Sequence, residues 1–481
     1  MSGIDYETVQ GSAAVEVSGI SYDSRLIKPG YLFICIPGFK LDGHGFAGQA
    51  LENGACVILA EKKLDVPEGV TLLLTDDTRK ALPLLAANFY GEPSRDLRVI
   101  GVTGTNGKTT TTHLIKAILE EAGKKTGIIG TLYAQFDEIK INMGHTTPES
   151  LDIEAFMNTV RNLDGQYVVM EVSSHALDLG RVDRIDFDGA VFTNLTQDHL
   201  DYHQTMNRYK ESKLKLFRRM ADEGKYAVIN GDDPYATDFI RASGDNCHTY
   251  AIKNPAEIRA MDLKTDLKGS SFRVVAEKEF DIEVNQIGLF NVYNTLAAIS
   301  LALQEEIDPS AIKSALKKVV GVAGRFEQVD CGQDFTVVVD YAHTPDGLEN
   351  ILKTGRQLTE NRLITVFGCG GDRDRTKRPQ MGKIAAKYSD FCIVTSDNPR
   401  SEEPEAIIDD IVPGLNEIKD SRYARIADRR DAIEHAMRLA RKGDLVIIAG
   451  KGHETYQLVK DRILDFDDRQ VAREILKGLK K

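Results

Sequence analysis

Along the first hundred residues the apolar positions come in short bursts separated by turn chemistry. SYDSRLIKPGYLFICIPG, LDGHGF and ENGACVILA lead into TRKALPLLAANFYG, a helix-like segment, and the stretch ends at GEPSRD, where Gly, Pro and Ser mark a linker. This pattern predicts a small α/β domain over 1–97. From Arg98 the grammar changes to RVIGVTGTNGKTTTTHLIKAILEEAG: a β-branched run, a Gly-containing loop, then Leu114, Ile115, Ile118 and Leu119 at helical spacing. Later apolar runs, YVVMEVSS, GAVFTNL and YAVING, alternate with helical segments, which predicts a central domain over 98–324 on a mainly parallel sheet. In the last third FTVVVDYA, RLITVFG, DFCIVTSD and DLVIIAG are separated by GLENILKTGRQL, PEAIIDDIVPGL and RRDAIEHAMRLARK, the pattern of a Rossmann-like sheet over 325–481. The expected fold class is α/β, in three domains.

Polar punctuation falls at the C-terminal end of each strand proposed for the last domain: Asp340 to Pro345, Gly368 to Arg375, Asp397 to Arg400 and Gly450 to Glu454. Open α/β sheets bind ligands at that edge, so four loops are expected to face one crevice.

Composition narrows the partners. In 481 residues, 42% hydrophobic and 28% charged, there is material for several cores and no disordered or collagen-like tract. Lys plus Arg number 61 against 73 Asp plus Glu, net −12, which argues against nucleic acid or an anionic membrane as principal partner. The six cysteines form no CxxC pair, so neither a disulfide framework nor a zinc knuckle is expected, and a reducing, cytoplasmic setting fits. MSGIDYETVQ has neither the basic nor the apolar region of a signal peptide, and no apolar run is long enough to span a bilayer, so membrane insertion is not expected.

The main chemical signal is Gly104-Thr105-Asn106-Gly107-Lys108-Thr109-Thr110, between a strand and a helix. Backbone N–H groups of such a turn point at phosphate oxygens, Lys108 can neutralise β/γ charge, and the Thr109 hydroxyl can ligate Mg²⁺, so a nucleoside triphosphate is the natural ligand. The strict Walker pattern fails, because Val102 stands where it requires Gly. No NKxD-like guanine reader follows, which disfavours a GTP switch. Glu171, at the end of YVVM, and Asp198 with His199, after VFTNL, are placed to hold a second divalent ion; equally, they suit a surface ion pair and a hydrogen-bonded loop histidine. Lys213, in NRYKESKLKLFRRMAD, reads from the residues alone as one of several solvated lysines. Arg373 and Arg400, with Glu454, can recognise a zwitterion, which implies an amino-acid substrate, or can pair with nearby acids. Ser173, Ser174 and His175 are adjacent in sequence, which is not triad geometry.

GTNGKTT, EVSSHALDLGRV, LTQDHLDYH, GRFE, DYAHTPDGL, GCGGDRDRTKRP, SDNPRSEEP and GKGHETY stand in one order across the chain. Together they resemble the Mur ligases of peptidoglycan synthesis, most closely the branch that adds the third residue of the peptide. GTNGKTT alone would suit the wider family, folylpolyglutamate synthetases included. The resemblance implies a UDP-binding N-terminal domain, a central ATPase domain and a C-terminal domain for the incoming amino acid. It implies ATP-dependent amide ligation through an acyl phosphate, with UDP-N-acetylmuramoyl-L-alanyl-D-glutamate and meso-diaminopimelate as substrates and ATP and Mg²⁺ as cofactors. The alternatives are a lysine-adding sibling or a folate-type ligase. A cytoplasmic monomer serving cell-wall biogenesis, cell shape and division is expected. By the same resemblance, Gly104 through Thr110 with Asn291, Asn294, Arg325, Asp340 and His343 bind ATP; Thr109, Glu171 and His199 are the metal ligands; and Lys213 is carbamylated. Lys108, His199 and Lys213 carry catalysis. Ser24, Phe39, Lys40, Asp42, His44, Thr146, Thr147, Ser173 and Arg181 fall on the UDP-muramoyl dipeptide, and Leu179 departs from the Gln common in relatives. Arg373, Asp397, Asn398, Pro399, Arg400, Gly450 and Glu454 fall on diaminopimelate, Arg400 favouring it over lysine.

Overall fold

In the N-terminal module the apolar bursts become strands. Tyr31–Ile34 pairs in parallel with Gly19–Ser21 and Ala55–Ala60, which in turn pairs in parallel with Thr71–Leu74; Glu7–Gln10 closes that edge antiparallel. Alternate residues face opposite layers. Phe33, Ile58 and Leu72 pack on one side, while Leu32, Val57, Leu59 and Leu73 pack on the other against Leu82 and Leu85. Those two leucines belong to the helix Thr78–Tyr90, which Asp77 caps by accepting the Lys80 N–H and Gly91 ends at φ 68°. The computed structural model describes residues 2–38, 41–359 and 361–479, so Phe39 and Lys40 lie outside the described residues. Among these, no helix is long and apolar enough to cross a membrane.

The chain forms two compact units that do not follow sequence order. The first comprises Met1–Val102, Lys124–Ala190 and Asp222–Lys225. In it the strand Tyr167–Glu171 pairs in parallel with Arg98–Thr103 and Thr126–Ile129, and Ala134–Phe136 and Ile139–Ile141 continue antiparallel. The helix Ser150–Asn162 fastens to the N-terminal module through Leu151, which joins its apolar layer, and Asp152, which accepts the Tyr22 hydroxyl at 2.5 Å.

Glu154 of that helix is wholly buried, and neither carboxyl oxygen has a hydrogen-bond partner among the described residues. Burial, reinforced by Glu92 and opposed by Arg184 and Arg161, pushes its pKa up to about 7. The unfolded chain therefore releases this proton at lower pH than the fold does. Stability is lost as pH rises from the ordinary glutamate range to about 7, by on the order of 3 kcal/mol in all. Glu154→Gln should gain on the wild type by a few degrees in melting temperature between about pH 5 and about pH 8. A difference independent of pH would show that the carboxyl is ionised throughout.

The second unit comprises Thr103–Gly123, Val191–Ala221 and Tyr226–Lys481. Tyr226–Asn230 and Cys247–Ala251 pair in parallel, and Cys247–Ala251 pairs likewise with Ile258–Asp266; Gly269–Val275 and Phe280–Val284 then extend the sheet antiparallel. That extension departs from the parallel pattern seen in the apolar runs. Helix Leu289–Gln304 packs on Lys108–Glu121. The C-terminal sheet has the order Glu327–Gln328, Thr336–Asp340, Leu445–Ala449, Leu363–Phe367, Phe391–Val394, Tyr423–Arg425, parallel after the first pair. Apolar layers cover both of its faces. Parallel register brings the strand ends Asp340 and Ala449 level, so the loops that follow open on one edge, as the punctuation implies.

Candidate functional site

The strand Arg98–Thr103 delivers the chain into the loop 104–107, and the helix Lys108–Glu121 begins directly after it. Val102 lies within the strand, paired with Glu171, which explains why the strict Walker spacing fails here: the strand continues where the pattern would turn. Gly104 (φ 151°) and Gly107 (φ 87°) hold conformations that L side chains rarely adopt, and a Cβ would come within 1.9 Å of Thr193 Oγ1 at the first and 2.2 Å of Asn294 Oδ1 at the second.

Two residues absent from the motif brace the loop. Asn194 accepts the Thr105 N–H on its carbonyl (2.8 Å) and the Asn106 N–H on Oδ1 (2.9 Å), and donates Nδ2 to the Asn106 carbonyl at 3.0 Å. Thr193 donates its hydroxyl to the same carbonyl at 2.7 Å. Asn106 Nδ2 in turn donates to Asp346 Oδ2 at 2.8 Å, and Arg325 donates to the Thr109 hydroxyl at 3.1 Å, so the C-terminal domain touches the loop directly. Arg325 lies over the Tyr341 ring at 4.5 Å. Asp340 accepts the Phe326 and Ala342 N–H groups, both at 2.7 Å, while burial raises its pKa against the pull of Arg325. Asn291 and Asn294 are buried and bonded to each other at 3.1 Å. His343 binds the Tyr341 carbonyl through Nδ1, and burial with the nearby Lys377 lowers its pKa.

Two lysines converge on one carbonyl. Lys108 Nζ donates to Gly104 O at 2.9 Å and Thr105 O at 2.8 Å; Lys213 Nζ donates to Gly104 O at 2.8 Å. Lys213 is not solvated: it is 1% exposed, stacked over Tyr209 at 4.8 Å. Burial, then the charge of Lys108, holds its pKa well below the usual lysine range, with Asp198 opposing. The surface reading of Lys213 is therefore corrected, since its helix turns it inward. Asp198 receives the His199 N–H at 2.9 Å and lies 3.4 Å from His199 Nε2. Burial would raise the Asp198 pKa, but His199, His343 and Lys377 hold it below the carboxylate range. His199 sits at φ 54° at the start of the short helix Leu200–His203.

On the same strand-end edge, where the Gly450 N–H donates to the Asp340 carbonyl at 3.0 Å, Asn398 donates to Glu454 Oε2 at 2.8 Å and Lys451 Nζ bridges Asn398 Oδ1 (3.1 Å) and Glu454 Oε2 (2.9 Å). Arg400 (φ 53°) donates to Gly371 O at 2.8 Å, and burial with the neighbouring charge of Arg373 lowers its pKa. Gly370 leaves room for both, since a Cβ there would stand 2.8 Å from Arg400 NH1. Pro399 closes against Gly371, whose Cβ would meet the Pro399 carbonyl at 1.9 Å, and a Cβ on Gly450 would stand 2.4 Å from Asp397 Oδ2, a buried oxygen with no partner among the described residues. Arg373 is exposed. Buried cations fasten these loops from behind: Arg378 to Glu402 and the Gly370 carbonyl, and Arg429 to the Ser396 and Ala449 carbonyls with a two-pronged bond to Asp468.

The first unit gathers a further set. Thr131 donates its N–H (2.8 Å) and hydroxyl (3.1 Å) to Glu171, and its hydroxyl also reaches Thr146 Oγ1. Thr147 bridges the Glu171 carbonyl and the Ser173 N–H; Ser173 caps the helix Ser174–Asp178, and Leu179 ends it. Arg181 binds the Thr147 carbonyl and Glu149. In the N-terminal module Ser24 donates to Gln49 Oε1 at 2.6 Å. His44 accepts the Glu61 N–H on Nε2 and faces Asp42 through Nδ1, so both ring nitrogens are spent within the module. Its backbone and ring N–H groups, with Lys62, depress the Asp42 pKa.

Residues 16–90 match the catalytic domain of the Mur ligase family, 102–302 the Mur ligase middle domain and 324–452 the Mur ligase glutamate ligase domain. Over 480 residues the chain is 63% identical to the UDP-N-acetylmuramoyl-L-alanyl-D-glutamate--2,6-diaminopimelate ligase of Syntrophomonas wolfei, covering 99% of this chain and 98% of that one. The enzyme of the same name from Caldanaerobacter subterraneus is 47% identical, with 99% and 98% covered. A solved structure of a ligase with that name is 34% identical with a TM-score of 0.66, covering 97% of this chain and 96% of that one. MurF from Acinetobacter baumannii, 19% identical with a TM-score of 0.69 over 90% of each chain, shares the fold.

Proposed function

Because this chain belongs to the Mur ligase family, we propose that it joins meso-2,6-diaminopimelate to UDP-N-acetylmuramoyl-L-alanyl-D-glutamate, cleaving ATP to ADP and phosphate, in peptidoglycan precursor synthesis. The observation that carries this reading is end-to-end likeness, 63% identity over 480 residues, to a ligase of that specificity. Two parts of the second unit suit it: a braced phosphate loop, and a site with Arg400, Arg373, Glu454 and Asp397 that matches both charges of a zwitterion.

The γ-carboxylate of D-glutamate attacks the γ-phosphorus of ATP. A C–O–P linkage forms as the bond to ADP breaks, because a bare carboxylate resists an amine and phosphate is a good leaving group. The amine of diaminopimelate then adds to the acyl carbon, loses its proton, and phosphate departs. Lys108 and the loop N–H groups meet the charge that builds on the phosphoryl oxygens. Thr109, Glu171 and His199 are the residues that would hold Mg²⁺, which would supply neutralisation of phosphate charge. Asn291, Asn294, Arg325, Asp340 and His343 hold the adenosine side. Ser24, Asp42, His44, Thr146, Thr147, Ser173 and Arg181 serve the UDP-muramoyl dipeptide, His44 by shaping the Asp42 turn. Lys213, whose depressed pKa leaves a neutral amine, adds CO₂ through a new N–C bond and releases a proton to solvent, becoming an anionic carbamate beside Gly104. With its six cysteines as free thiols, the chain acts as a cytoplasmic monomer in this reading.

The test is phosphate release with UDP-muramoyl dipeptide plus diaminopimelate, L-lysine or no amino acid, in CO₂-depleted buffer and with bicarbonate restored. Release is expected only with dipeptide and diaminopimelate together, falling on CO₂ depletion and returning with bicarbonate. Turnover of ATP alone would point to a hydrolytic switch, a lysine preference to the sibling ligase, and indifference to bicarbonate would remove the carbamate.

A further inference from the structure

Lys451 follows the strand Leu445–Ala449 in the loop 450–454, and none of its surface is exposed. Two glycines let the loop fold it inward: a Cβ on Gly450 (φ 122°) would stand 2.4 Å from Asp397 Oδ2, and one on Gly452 (φ 53°) 2.6 Å from Tyr341 Cβ. The Lys451 carbonyl accepts the Glu454 N–H at 2.9 Å, so both side chains leave one turn. The ammonium donates to Glu454 Oε2 (2.9 Å) and Asn398 Oδ1 (3.1 Å) and lies 5.6 Å from the centre of the Tyr456 ring. Asn398 can face only one way here: its Oδ1 also accepts the Leu458 N–H at 2.9 Å, which leaves Nδ2 to donate to Glu454 Oε2 at 2.8 Å.

Glu454 Oε2 is thus held by two donors. Oε1 accepts no hydrogen bond among the described residues, and in a side chain 15% exposed it is the oxygen open to the surface. The same framework aims Arg400, because Leu458, whose N–H fixes Asn398, accepts the Arg400 N–H on its carbonyl at 3.0 Å. A carboxylate that holds an ammonium beside Arg400 suits the far end of diaminopimelate, whose carboxylate goes to the guanidinium, better than it suits the attacking amine, which must be neutral to react. We propose that Lys451 is a positioning residue for the incoming amino acid: it locks Glu454 with Oε2 turned inward and Oε1 offered to the far ammonium of diaminopimelate. This rests on the ligase reading above. No bond forms or breaks at Lys451 or Glu454, so the effect falls on binding rather than on the chemical step. The alternative is a buried pair that only fastens the loop, which would serve every amino acid alike.

The experiment measures kcat and KM for diaminopimelate, and the competitive inhibition constant of 2-aminopimelate, which keeps the attacking amine and both carboxylates but lacks the far ammonium. It compares wild type, Lys451→Met, Lys451→Gln and Glu454→Gln. Wild type should prefer diaminopimelate to 2-aminopimelate by about 30-fold, the size of a hydrogen bond to a charged group. Lys451→Met should raise the diaminopimelate KM about tenfold while kcat and the 2-aminopimelate constant stay within about threefold, so that the preference nearly closes. Glu454→Gln should close it too. Lys451→Gln, which keeps a donor but removes the charge, should narrow it, and it decides the matter if the Met variant does not fold, since neither constant depends on how much of a sample is active. A wild type without the preference, a preference unchanged in the variants, equal weakening of both ligands, or a loss confined to kcat would each overturn the proposal. A wild type that releases no phosphate with dipeptide and diaminopimelate would overturn the ligase reading and this inference with it; an active wild type with unaffected variants sinks the inference alone.

Discussion

Lys108→Met should reduce phosphate release by about a thousandfold at saturating substrates, with the fold intact. Lys108 is held over the loop by the Gly104 and Thr105 carbonyls, and in the proposed reaction its charge answers what develops on the transferring phosphoryl group. A loss of that kind falls on kcat, because the interaction strengthens as the reaction proceeds. A second effect compounds it. Lys108 helps to depress the Lys213 pKa, so without it Lys213 holds its proton more tightly and offers less neutral amine to CO₂. The variant should therefore respond more weakly to bicarbonate than wild type does. Phosphate release within about tenfold of wild type would remove Lys108 from the chemistry.

Arg400→Ala should raise the KM for diaminopimelate about 100-fold, the size expected for truncating one partner of a half-buried charged pair, and leave the KM for ATP unchanged. Arg400 is aimed by its backbone: its N–H donates to Leu458 O at 3.0 Å and its carbonyl accepts the Lys460 N–H at 2.6 Å, which pins a left-handed residue on the strand Tyr456–Val459 and beyond. The guanidinium then passes over Gly370 to the Gly371 carbonyl. Diaminopimelate carries a carboxylate at its far end where lysine has none, so discrimination between them should collapse in the same variant. Arg400→Lys should recover little, because an ammonium cannot reproduce a two-pronged fork. Competition kinetics with both amino acids measure this directly, and an intact preference would assign specificity elsewhere.

Much of this arrangement was legible before any coordinates. The phosphate loop announced itself because its signal is local, a β-branched strand, two glycines and a helix within two dozen residues. Strand-end loops of the last domain were legible for a related reason: parallel topology brings every such end to one edge. Thr193, Asn194 and Asp346 carried no local signal, since they brace Asn106 from 87, 88 and 240 residues away. Lys213 is the instructive case. Tyr209, Lys213, Leu216, Phe217 and Met220 are all buried on the helix Met206–Asp222, whereas Lys215 is exposed, so the helical period already set one lysine on the apolar stripe. The same test picks out Lys377 and Arg378, four residues before the buried Met381 and Gly382. A cation on the inward stripe of an amphipathic helix is worth separating from its solvated neighbours. The antiparallel strands Gly269–Val275 and Phe280–Val284 escaped because their alternating, half-exposed residues lack the continuous apolar runs of buried parallel strands.

The final helix, Asp468–Leu479, has no residue among those assigned to substrate, yet Asp468 is what neutralises Arg429 as that guanidinium ties together the strand ends bearing Asp397 and Gly450. The tail of the chain is thus a keystone rather than an appendage. Anyone trimming a fragment for crystallisation, or splitting the gene to make a complementation reporter, would have to cut outside Asp468 or loosen from a distance the loops proposed for the amino acid.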